Sequence, residues 1–213
     1  MKLGDIKAEA LQVMFVNAGR DIAADNLVDY VGDDTYGYYL VNMPGAINRA
    51  FAAVERKRVL PVRRCELVAA AGEQTPRGIR FDMATLVNDY YDVERVTMES
   101  YTGYEPVVDY FREGESIIFE RFNLSAQYTL LYRPSIRRFG AGTADDYEVR
   151  EIPDRIACYL PYAIKAELFR NDNPDEAEAA RAVFEQAMAE IAAEERGSHQ
   201  GSVRTVYGGG LMV

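Results

Sequence analysis

The sequence predicts an α+β protein in which a helical bundle is interrupted by an inserted antiparallel β module, a small sandwich or barrel-like sheet. Two observations predict it. Apolar residues recur near a 3.6-residue period at both ends of the chain. Between Val62 and Tyr147 the pattern changes to short runs rich in Val, Ile, Tyr, Phe and Thr, with turn signals every eight to twelve residues. The expected organisation is therefore a bundle from residues 1–61 and 149–197, a β module over 62–148, and an extended C-terminal tail over 198–213.

The first helix is expected over residues 5 to 17, with Asp5 as a cap and Ile6, Ala10, Val13 and Met14 on one face. A short helix follows from about Ala23 to Tyr30, with Leu27, Val28 and Val31 apolar, and Gly32-Asp33-Asp34 ends it. The stretch from Thr35 to Pro61 reads as mostly helical, with Ile47, Ala50, Phe51 and Val54 on one side. Pro44 either starts a fresh turn or kinks one longer helix. Expected strands are Arg64 to Val68, Ile79 to Asp82, Tyr91 to Met98, Val107 to Phe111, Ser116 to Phe122 and Gln127 to Tyr132. In the last, Tyr128, Leu130 and Tyr132 share a face, because side chains alternate along a strand. Phe139 to Arg150 is a Gly- and Asp-rich connector.

Ile152 to Arg196 carries the clearest punctuation. Pro153 suits the first turn of a helix, where its missing N–H costs nothing. Ile156, Leu160, Ala163, Ile164 and Leu168 form a stripe, and Pro161 reads as a mid-helix kink costing about 3 kcal/mol. Asn173-Pro174-Asp175-Glu176 is a helix start, with a capping amide, a proline and two carboxylates at the positive end of the dipole. Ala177, Ala180, Phe184, Ala187, Met188 and Ile191 line the second helix.

Composition bounds function. The chain has 213 residues, 48% hydrophobic and 27% charged, with a formal charge of −10. That balance argues against broad attraction to a nucleic-acid backbone or an anionic membrane. Basic clusters stand at Arg56-Lys57-Arg58, Arg63-Arg64 and Arg137-Arg138. The N-terminal stretch lacks the features of a secretory signal, and no run reaches the roughly 20 apolar residues of a membrane span. Synthesis in a cytoplasm is expected, with Cys65 and Cys158 reduced and buried.

No catalytic, cofactor-binding or metal-ligating residues emerge. His199 is the single histidine and lies in a Ser/Gly-rich segment, and no cysteine pair has metal-ligand spacing. Asp33-Asp34, Asp145-Asp146 and Asp172 read as turn and cap residues, and Arg56 to Arg58 as cations at a helix C-terminus. The tyrosines at 36, 38, 39, 90, 91, 101 and 104 divide between core and interface in a way the sequence leaves open.

The run FDMATLVNDYYDVERV (Phe81 to Val96) with GESIIFERFNLSAQYTLLYRP (Gly114 to Pro134) resembles the sheet part of head-to-tail adaptor proteins of tailed phages. The tail tubular A, or gatekeeper, proteins of short-tailed phages look similar. The segment from Ile152 to Met188 is similar to the last helical pair of these proteins. The resemblance covers about two thirds of the chain and rests on a pattern of elements, not on an invariant motif. It implies a virion structural protein, without catalysis, that forms a ring between portal and tail. It also implies that the C-terminal segment reaches a neighbour, with Val203, Val206, Tyr207 and Leu211 as the interface and Val203 to Tyr207 as an added strand. A cytoplasmic enzyme or ligand-binding protein with a carboxylate, Tyr and Arg site in the β module is the alternative. A deep cleft with convergent Asp, Glu and Arg favours that alternative, and an exposed Tyr- and Leu-rich face favours assembly.

Overall fold

Helices flank two antiparallel sheets in the computed structural model, which describes residues 1–15, 21–100, 103–107, 109–140 and 142–200. The helices are α1 (Leu3–Met14), α2 (Tyr36–Lys57), α3 (Met83–Leu86), α4 (Asp154–Ala157), α5 (Leu160–Leu168) and α6 (Pro174–Gln200). A 3₁₀ turn, Leu27–Tyr30, precedes α2. The strands are β1 (Arg63–Leu67), β2 (Glu73–Thr75), β3 (Gly78–Asp82), β4 (Tyr90–Ser100), β5 (Gly103–Val107), β6 (Tyr110–Glu113), β7 (Ser116–Phe119) and β8 (Tyr128–Pro134).

One sheet has the order β1-β8-β4-β5 and the other β2-β3-β7-β6, with every pairing antiparallel. The sheets face each other across one core. Leu67, Val96, Tyr128, Leu130 and Tyr132 come from the first sheet, and Ile79, Phe81, Ile117 and Phe119 from the second. Tyr128, Leu130 and Tyr132 all point inward, as their spacing requires. Phe81 and Phe119 meet edge to face at 5.8 Å, and Phe122 stacks on Tyr128 at 4.3 Å.

A separate core lies among the helices. Ile6, Leu11, Phe51, Leu160, Ile164, Phe184 and Met188 are buried in it. Asn173 caps α6 with its side chain, accepting from the Glu176 N–H at 3.4 Å and donating to the Glu176 carboxylate at 2.9 Å. The connector from Ser135 to Pro153 is fixed on both sides. Leu3 and Gly4, whose N–H groups have no partner within α1, donate to the carbonyls of Tyr147 and Asp145 at 2.9 and 2.8 Å. Asn48 exchanges two hydrogen bonds with the backbone of Phe139. The buried carboxylate of Glu55 accepts from the Ile136 N–H at 2.6 Å and pairs with Arg138.

Several sequence expectations change. Pro161 is not a mid-helix kink: the chain breaks at Cys158 and Tyr159, and Pro161 is the second residue of α5, where it leaves no interior hydrogen bond unmade. α2 runs unbroken through Pro44. The strand expected over Val107 to Phe111 is two strands in different sheets, β5 and β6. β2 was not expected at all. α6 continues to Gln200, so residues 198–200 are helical in place of the expected extended tail. Helix propagation adds one hydrogen bond per residue, enough to carry the backbone past Gly197 and Ser198. Cys158 is exposed and Cys65 half-buried, so the pair is unbridged but not buried.

Gly78 closes the β2–β3 hairpin at φ +127°, and a Cβ there would run into the Phe119 carbonyl oxygen of β7. Gly78→Ala therefore faces both an unfavourable backbone conformation and a clash with backbone that cannot swing away. We expect a loss of about 1–3 kcal/mol in chemical denaturation, against near-neutral behaviour for Gly140→Ala, whose Cβ position is open.

Candidate functional site

The four residues expected to form a partner interface in the C-terminal segment, Val203, Val206, Tyr207 and Leu211, lie outside the described residues. A different surface stands out among the described ones. Val28, Val31, Tyr38 and Val41 are 75%, 57%, 60% and 72% exposed, on the 3₁₀ turn and the first turns of α2. Leu27 is buried and anchors the turn. With three residues per turn, Val28 and Val31 align on its outer side. On α2, Tyr38 and Val41 are one turn apart and face away from the buried side of Tyr36, Met43 and Ile47. The two elements meet closely, since a Cβ on Gly37 would run into the Val31 carbonyl.

The base of this surface is packed and hydrogen-bonded. Phe15 contacts Tyr36, Tyr39 and Phe169 edge to face at 4.8, 5.4 and 6.1 Å. Asp33 accepts from the Thr35 and Tyr36 N–H groups at 2.8 and 3.2 Å, holding the start of α2. Three tyrosines in four positions thus have three fates. Tyr36 is buried, Tyr39 is half-buried with its hydroxyl donating to Asp172 at 3.3 Å, and Tyr38 is exposed. The sequence signal that divides them is the helix start: once α2 begins at Tyr36, positions 38 and 41 fall on the outer face.

The β sandwich joins the helices through a chain of alternating charges. Arg133, buried on β8, donates from Nε to Glu94 at 3.0 Å, and from Nη1 to the Leu60 carbonyl and to Glu195 of α6, the latter at 3.3 Å. Arg155 of α4 pairs with the same Glu195. Arg58, in the left-handed conformation just past α2, reaches Asp92 at 3.2 Å and Glu94 at 3.1 Å on β4. Arg112 on β6 continues the chain to Asp92 at 2.6 Å. Burial pushes the Glu94 carboxyl up, but the hydrogen bond and charge of Arg133, and then those of Arg58, outweigh it and hold Glu94 below the usual glutamate range. Its contribution to stability is present above the ordinary glutamate value and lost as pH falls through the depressed one.

An open cleft of about 540 Å³ lies beside this seam, lined by Arg63, Val87, Asn88, Asp89, Tyr132, Arg150 and Glu151. Asp89 pairs with Arg63 and accepts from the Tyr132 hydroxyl at 3.0 Å. Glu151 Oε2 is buried without a hydrogen-bond partner among the described residues. These are the residue types of the ligand-binding alternative, placed at the edge of the β module where the connector crosses it. Among the described residues no group of three or more His, Cys, Asp or Glu is arranged to hold a metal. Burial raises the thiols of both Cys65 and Cys158, so neither is activated as a thiolate. No helix among the described residues is long and apolar enough to cross a membrane.

No family model matches the chain, and no curated protein sequence matches it.

Burial, and then the hydrogen bond to Asp89, pushes the Tyr132 phenol up to about 12 from an ordinary 10.0. The folded chain holds this proton more tightly than the unfolded chain. Stability linked to it is therefore intact below the ordinary tyrosine value and lost as pH rises from there toward about 12. In Tyr132→Phe, denaturation midpoints between about pH 10 and 12 should fall less steeply than in the wild type. An identical alkaline slope contradicts the assignment.

Proposed function

We propose that this chain is a structural assembly protein of the head-to-tail adaptor kind found in tailed phages. On this reading it acts by association with copies of itself and with a portal ring, without catalysis. The observation that carries the reading is the exposed apolar surface of Val28, Val31, Tyr38 and Val41 at one end of the helices. Clustered apolar exposure of this kind marks protein–protein contact sites, and an exposed tyrosine supplies contact area at low entropic cost. The resemblance of Phe81 to Val96, Gly114 to Pro134 and Ile152 to Met188 to adaptor proteins adds to it.

The reading includes a finer architecture: α1 and α2 form a bundle with the α5–α6 hairpin, and the sandwich is inserted between α2 and α4. The shared core of these helices supports that arrangement. Its partners are portal and tail proteins. Its synthesis is cytoplasmic and its destination the virion. Val203, Val206, Tyr207 and Leu211 serve as the arm that reaches a neighbour. The second reading, a ligand-binding protein or enzyme, is favoured by the Arg63–Asp89–Tyr132–Glu151 cleft with its orphaned carboxylate oxygen.

Mixing the purified chain with the ring encoded as its cognate portal and weighing the particles tests the first reading. We expect several copies retained per portal, and fewer for the variant carrying Tyr38→Asp and Val41→Asp, with unchanged circular dichroism. No retention of the wild-type chain overturns the proposal.

A further inference from the structure

A second surface of the helical layer is basic in an acidic chain. Facing sides of α2, α5 and α6 enclose a groove of about 330 Å³. Ala50, Ala53, Ala163 and Ala166 line it with Phe184, and four arginines line it as well: Arg49, Arg56, Arg170 and Arg181. Two carboxylates stand among them, and each is already matched. Glu167 pairs with Arg49 at 2.7 Å and Glu185 pairs with Lys57. Arg56, Arg170 and Arg181 are left exposed with no carboxylate partner among the described residues. Three uncompensated guanidiniums around a small-residue floor favour an anionic occupant, because the guanidinium fork matches carboxylates and the alanines let backbone come close.

The complement is on the same chain. From Asp21 to Asn48 there are five aspartates and no lysine or arginine. Asp25, Asp29 and Asp34 are exposed, and the apolar side chains of Val28, Val31, Tyr38 and Val41 lie in the same stretch. One end of the helical layer is thus acidic around an apolar centre, while the groove is basic around an apolar floor. α2 carries both, the first in its opening turns and the second from Arg49 onward. The two surfaces are different patches of one molecule. Their contact is therefore heterologous, so each copy offers a free groove and a free acidic end to the next.

We propose that the acidic, apolar end (Asp29, Asp34, Val28, Tyr38) of one copy docks into the arginine groove (Arg56, Arg170, Arg181) of a second copy, giving head-to-tail self-association. This rests on the assembly reading above and assigns the surfaces through which copies meet. The contact is salt-sensitive, because its charged rim is solvent-exposed and ions screen it within about 8–10 Å at physiological strength.

Two variants test it, one with Arg56→Glu and Arg181→Glu, the other with Asp29→Arg and Asp34→Arg. None of these side chains makes an ion pair within the described residues, so both should fold. In sedimentation velocity at low ionic strength, the wild-type chain should form concentration-dependent oligomers that dissociate in high salt. Each variant alone should self-associate about a hundredfold more weakly, the scale of like charges brought together. In an equimolar mixture the intact groove of one variant meets the intact acidic end of the other, and the two reversed patches are again opposite in charge, so dimers and longer chains of alternating variants should form. Wild-type chain that stays monomeric throughout, variants that associate like wild type, or a mixture without dimers each overturns the inference. Portal capture of the same samples separates the two failures. Wild-type chain that the portal captures but that stays monomeric in sedimentation overturns the head-to-tail contact and leaves the adaptor reading standing. Dimers in the mixture without capture of the wild type do the reverse.

Discussion

The buried guanidinium of Arg133 is the constraint on which the relation of the two cores depends. It stands at the end of β8, the strand that pairs with both β1 and β4 and so forms the spine of its sheet. From there it contacts the carbonyl that follows α2, a carboxylate of α6 and a carboxylate of β4. A buried charge is tolerated only when paired and hydrogen-bonded. Each of its partners comes from a segment that must already be in place. The seam therefore specifies geometry more than it adds stability: replacing a buried ion network with apolar groups is often neutral, while a half-satisfied one is costly. Arg58 and Arg155 back up Glu94 and Glu195 from the helical side, so the load is distributed.

That seam gives the exposed features their meaning. A sandwich held firmly on a helical layer leaves the layer's outer surfaces in fixed relation, the apolar end near Tyr38 and the arginine groove near Arg56. In the proposed head-to-tail contact, two fixed and different patches would set a defined angle between successive copies. That angle decides whether assembly closes into a ring or continues as a filament. The cleft at Asp89 and Tyr132 bears on the ligand-binding alternative. Its carboxylate and phenol are occupied with each other, and the carboxylate with Arg63, while Glu151 Oε2 is buried without a hydrogen-bond partner among the described residues.

Elements with local signals were legible in the sequence. Asn173-Pro174 starts α6 because capping and proline chemistry act within one turn, and Tyr128, Leu130 and Tyr132 turn inward because a strand has a period of two. Where two local readings competed, neighbouring structure decided. Pro161 fits either a kink or a helix start, and the break at Cys158 and Tyr159 selects the second. Val107 and Tyr110 are close enough to read as one strand, yet they belong to opposite sheets. The candidate surfaces were hidden for a different reason. Val28 and Val31 read simply as apolar residues of a short helix with Leu27, and only the 3₁₀ turn separates the buried Leu27 from them, while Arg56, Arg170 and Arg181 are far apart in sequence. The burial of Glu55 and Arg133 has no local signature, since each is satisfied by residues 39 or more positions away.

Differential scanning calorimetry of Arg133→Met is the most direct test of the central role of the seam. The wild-type chain should unfold in one cooperative transition. In the variant, Glu94 and Glu195 keep Arg58 and Arg155, but the sandwich and the helical layer lose the group that both grip. The account predicts two resolved transitions, each with near-native secondary structure in the surviving part. A single transition with unchanged cooperativity would contradict it.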